Sequence, residues 1–238
     1  MGKGTGSYGG AVKHMKAMDA GSLEELSRYM SDTYGVGMDR TLEQIDFDVA
    51  RSLTDGIENM LKEFPGLDAA NLRLSGRLRG DSSYAGTTVD GEVLLHPGVL
   101  SSVQKTERLY QHDLDSGYHP AGTSYVNIVI HEMGHQIEGA LIRRQIPGND
   151  RESRVARADA WRSGTVAADL VGRALDRTAP GWQKNQKLAA AQVERISKYA
   201  AVDASETVAE AISDYYSNRR NASPLSKEIW RLAKKELG

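Results

Sequence analysis

An α+β fold, mainly helical with a small sheet ahead of its central helix, is predicted by three observations. Residues 71 to 96 are the one stretch with convincing strand character, nearly everything from Ser124 onward has helical periodicity, and the two textures are segregated along the chain rather than alternating. The chain has 238 residues and is 39% hydrophobic, enough for the core of one domain, expected over residues 22–238. Before it, residues 1–21, opening "MGKGTGSYGG", read as a flexible Gly-rich leader without the apolar segment of a signal peptide.

Taken in order, "SLEELSRYMSDTYG" has helical spacing. The next helix is expected from Thr41, with Gln44 completing a capping box, through apolar Leu42, Ile45, Val49, Leu53, Ile57, Leu61 and Phe64 to a stop at Pro65-Gly66. "YAGTTV" and "EVLLH" flank Asp90-Gly91, a hairpin turn pair. Helices follow over 124–144, roughly 150–176, 183–200, 205–219 and 225–237, the last opened by Ser223-Pro224. The three tryptophans, Trp161, Trp182 and Trp230, are expected to pack in the core or along grooves.

Charge excludes some functions. The 30 basic and 32 acidic residues are spread along the chain, so neither a nucleic-acid footprint nor a polybasic membrane patch is present, and no segment has the length and apolarity of a membrane span. Absence of cysteine removes disulfides and thiolate ligands, so any metal must be held by nitrogen and oxygen.

The chemistry concentrates at "HEMGH", residues 131–135. On a helix, His131 and His135 lie on one face and can share a metal ion. Glu132 is turned by about 100° from His131, outside the ligand set but within reach of a water at the metal. A catalytic zinc takes three protein ligands, so a third is needed. Glu138 shares the helix but cannot easily close a tetrahedron with its own neighbours, and His96, His112 and His119 stand in loop-like or strand-end context. The remaining candidate is "SKYAAVDASETVAEAISDYY", where Glu206, Glu210 and Asp214 stack on one helical face. Acids at that spacing repel, and a cation facing them removes the penalty; without one they are a solvated acidic face.

HEMGH together with "YAAVDASETVAEA" resembles the catalytic domain of anthrax lethal factor and its relatives, including the pro-pro endopeptidases, which are gluzincin-type zinc metallopeptidases. The resemblance covers residues 131–135 and 199–211 and implies a zincin-like domain. It implies that His131, His135 and Glu206 bind zinc, that Glu132 is the general base, and that Tyr199 stabilises the oxyanion. Glu210 corresponds to the family's second acid, assigned here to hold a ligand histidine's distal nitrogen. The interval of about seventy residues between His135 and Glu206 departs from the family and puts the shape of its substrate groove in doubt.

The expectation is therefore a zinc endopeptidase acting on a protein or peptide, needing no cofactor beyond zinc. Val93, Leu94 and Leu95 in "GEVLLHPGV" are the candidates for an edge strand that pairs with substrate, the alternative being a core strand. Two other functions use the same residues: a metal-stabilised structural or interaction module without turnover, and hydrolysis of a non-peptide amide. Family members act as toxins, as proteases of bacterial surface proteins and within mobile-element or phage proteins, and the residues do not select among these.

Overall fold

A computed structural model describes residues 16–80 and 83–238. Most of the expected leader lies outside the described residues. At its end, Ala17–Asp19 form a 3-10 turn in which buried Ala17 donates its N–H to Glu58 Oε2 at 2.8 Å. Helix α1 (Leu23–Tyr34) begins where the Ser22 side chain accepts from the Glu25 N–H. The helix expected from Thr41 starts later. Arg40–Gln44 is a separate 3-10 turn, and α2 (Phe47–Glu63) is capped by Asp46, whose carboxylate accepts from the Asp48 and Val49 N–H groups.

The class is α+β, with a small sheet beside a helical majority. Its strands are β1 (Gly37–Met38), β2 (Arg73–Ser75), β3 (Ala85–Thr87) and β4 (Glu92–Leu95), in the order β1-β2-β4-β3. β1, β2 and β4 are parallel, and β3 folds back antiparallel on β4 through the expected Asp90-Gly91 turn. A helix that periodicity does not reveal, α3 (Val103–Asp115), follows the sheet. It buries Thr106 and Tyr110, with Val103 and Leu114 packed partly buried against the core.

At the centre is α4 (Asn127–Gln145), with 15 of its 19 residues buried. It has little solvent face, being enclosed by α2, β3 and α8 (Ala204–Asn218), with α9 (Pro224–Leu237) packed on α8. The α4–α8 crossing depends on Gly134, because a Cβ there would stand 2.6 Å from the Cα of Ala209. No side chain fits that space.

Between these two helices the expected 150–176 helix breaks at Gly164, whose φ of 62° is left-handed. It becomes α5 (Arg151–Ser163) and α6 (Thr165–Thr178). A short α7 (Gln186–Glu194) and a 3-10 turn (Tyr199–Ala201) lead into α8. Trp230 is in the core, its ring 4.7 Å from that of Phe64, while Trp161 and Trp182 pack against the core partly buried. Among the described residues no helix is long and apolar enough to cross a membrane.

Candidate metal centre

Two helices supply the centre: α4 carries His131, Glu132 and His135, and α8 carries Glu206 and Glu210. Asp203 caps α8 by accepting the Glu206 N–H at 2.9 Å, which places Glu206 in the first turn, where the helix dipole favours a carboxylate. His131 Nε2, His135 Nε2 and Glu206 Oε2 converge, with separations of 3.2 Å between the two nitrogens and 3.1 and 3.5 Å from them to the oxygen. These three side chains form a group that could hold a metal ion.

The distances test the fit. Bonds of about 2.0–2.1 Å in a tetrahedral site require ligand atoms roughly 3.3–3.4 Å apart, close to all three separations. Glu206 Oε2 is moreover buried without a well-directed hydrogen bond, although both imidazole nitrogens are near. Three potential donor atoms facing one another suit a shared cation better than they suit each other.

Glu210 fixes the orientation of His131. Its Oε1 lies 2.8 Å from His131 Nδ1 and 3.3 Å from His119 Nδ1, and its Oε2 accepts from the Ser197 hydroxyl at 2.8 Å. Burial would raise the Glu210 carboxyl, but the bonds to His119 and His131 outweigh it and hold its pKa at about 2. Burial likewise disfavours His131 as a cation, yet Glu206 and Glu210 raise its pKa to about 10. With Nδ1–H donated to Glu210, the lone pair of neutral His131 faces the centre from Nε2.

Glu132 lies beside this group with Oε2 buried and unpartnered, and burial raises its pKa. The Tyr199 ring stacks on the His131 imidazole at 5.5 Å, and its hydroxyl donates to Glu206 Oε1 at 3.1 Å. Burial, then the charge of Glu206, pushes the phenol pKa well up, so the hydroxyl stays protonated and able to donate.

Two cavities meet at these residues, one of about 290 Å³ toward Asn127 and Ile128 and one of about 590 Å³ toward His135 and Trp161. His131, Glu132, Tyr199 and Ala85 line both. β3 runs along the cleft, and this corrects the expected edge strand: β4 is internal, with Val93 and Leu95 fully buried and Leu94 partly so. The more apolar strand takes the position covered on both sides. Tyr84 and Thr88 bond β4 through their main chain, so alternation turns the N–H and C=O of Ala85 and Thr87 to the open edge.

Other candidates fall elsewhere. Glu138 is buried in contact with Ser205, outside the ligand group. Asp214 accepts from the Ser223 N–H and from Asn218, tying α8 to the start of α9. His96 bonds the Gly80 carbonyl, and His112 is exposed on α3. His119, which nothing in the sequence separates from the other isolated histidines, joins the site through Glu210.

Compared with protein-family models, with curated proteins and with solved structures, the chain matches none.

Proposed function

We propose that this protein is a zinc-dependent endopeptidase with a zincin-like domain. The observation that carries the reading is the spacing of three lone-pair atoms on α4 and α8 that suits a tetrahedral ion, beside a buried carboxylate with no other partner. Nitrogen and oxygen ligands of this kind, three in number, suit a catalytic zinc. Zinc when bound would lower the pKa of the attacking water and draw charge from the scissile carbonyl.

The chain's own residues do the rest. Glu132 takes the proton of the water as it attacks and carries it to the leaving amine; its buried position keeps its basicity high. Tyr199 donates to the carbonyl oxygen as that becomes negative, exchanging its bond to Glu206 for one to the oxyanion. Glu210 keeps His131 in the tautomer that leaves Nε2 free. Main-chain groups of Ala85 and Thr87 pair with an extended peptide and set its carbonyl against the centre. The resemblance of residues 131–135 and 199–211 to lethal factor and the pro-pro endopeptidases supports the same reading.

The test is identification of cleavage products from a protein mixture with zinc-loaded wild type and Glu132→Gln side by side. New termini in the wild-type sample alone are expected. Identical patterns would leave a metal-stabilised module without turnover.

A further inference from the structure

The cavity on the His131 side is lined by aromatic rings and acids and, among the described residues, by no lysine or arginine. Tyr118 lies 4.6 Å from Tyr199, nearly parallel to it, lines the cavity and is 39% exposed. Asp113, which also lines the cavity, accepts the Tyr84 hydroxyl at Oδ2, 2.5 Å away, while among the described residues its Oδ1 meets only the exposed His112, at 3.3 Å. His119 turns Nδ1 to Glu210, and its Nε2 is buried without a partner. With the proton on the nitrogen facing Glu210, Nε2 is a further acceptor. At the rim the Lys198 ammonium already bonds the Ser116 carbonyl at 2.6 Å. The positive charge that His131 can carry is already answered by Glu206 and Glu210, so the rest of the walls offers acceptors and ring faces to a further cationic donor.

The position of the cavity along β3 says which substrate residue would reach it. Antiparallel pairing is the more stable way to extend an edge. A peptide added antiparallel to β3 enters at Thr87 and leaves past Ala85, Tyr84 and Ser83, which line this cavity, whereas Gly86 and Thr87 line the other. The smaller cavity therefore lies on the C-terminal side of the scissile bond. At about 290 Å³ it falls at the lower end of ligand pockets, about 300 Å³, and suits one side chain.

We infer that this cavity is a specificity pocket for a lysine or arginine side chain on the residue following the cleaved bond, held by Asp113 and the faces of the tyrosines; this rests on the peptidase reading. Its carboxylate would answer the cation, and an aromatic face attracts one too. Asp113 determines specificity and takes no part in the chemistry.

The test has two arms, only one of which needs turnover. In the first, the zinc-loaded protein cleaves a mixed peptide library, and lysine or arginine is expected at least tenfold enriched after the cleaved bond. In the second, metal-free wild type is titrated by NMR with N-acetyl-lysine amide and N-acetyl-norleucine amide, which differ only in the charged end. Lysine amide is expected to bind at least tenfold more tightly, with shifts at Asp113 and Tyr118, and Asp113→Asn should abolish the difference between the probes. Cleavage without basic enrichment, equal binding of the probes, or lysine preference persisting in a folded Asp113→Asn would each overturn the pocket assignment. Lysine preference in the second arm with no cleavage in the first would overturn the peptidase reading alone.

Discussion

Helices α4 and α5 both face the larger cavity, yet 15 of 19 residues of α4 are buried and none of the 13 residues of α5 is. α4 is held on several sides and by the Gly134–Ala209 approach, so its ligand histidines have little freedom. α5 is attached through half-buried Ala160 and Trp161, with the Trp161 ring 6.1 Å from that of His135. The chemistry is placed where packing fixes position, and the cleft wall where it does not.

The sharpest way to break this contrast is metal occupancy. Glu206→Ala should lose bound zinc, whereas Trp161→Ala should keep one ion per chain, as read by elemental analysis. Loss of zinc in both would mean that α5 helps to form the centre. Next in size is Tyr199→Phe, expected to lower turnover by roughly 100-fold or more, the scale for one oxyanion donor, with zinc content and melting temperature nearly unchanged. Normal turnover in this variant would assign Tyr199 to packing against His131.

A smaller effect is expected at Glu210, which supports a ligand without being one. Glu210→Gln should retain zinc but bind it roughly 10 to 100-fold more weakly in a competition titration, and Asp214→Asn should leave affinity close to wild type. A greater sensitivity at Asp214 would contradict the rotation of α8 described above.

The smallest effect is protonic. In the metal-free protein His131 has its pKa raised to about 10, above the unfolded value, so the stability it contributes is complete below the unfolded pKa and is lost as pH rises through about 10. Zinc must displace that proton. Uptake at pH 7.5 should release about one proton per ion, measured by calorimetry in buffers of different ionisation enthalpy, and affinity should rise with pH. Uptake without proton release would show His131 already neutral.

What the sequence discloses follows the same division. The α4 helix and the Glu206/Glu210/Asp214 stripe are legible because a buried helix must repeat its pattern, and ligands on one face must share its period. Periodicity does not say what each acid of a stripe meets: Glu206 faces the histidines, Glu210 supports one of them, and Asp214 anchors α9. The rest of the cleft is hard to read for identifiable reasons. The order of β3 and β4 depends on β2, a partner distant in sequence. Asp46 wins the cap from Thr41 through local hydrogen bonds that a capping-box pattern does not weigh. His119 reaches Glu210 across 91 positions of sequence, and no local spacing encodes such a meeting.

The bare Gly134–Ala209 contact has a consequence for how this architecture can vary. Because the two ligand-bearing helices register against each other through their backbones, the length of chain joining them does not set the distance from His135 to Glu206. Within that chain α5 buries none of its residues, so it can be lengthened, shortened or exchanged while the centre keeps its dimensions, whereas α6 and Ser197 are tied to α8. Gly134 and Ala209 thus act as a fixed joint, and α5 is the interchangeable part from which a differently shaped cleft could be assembled around the same metal geometry.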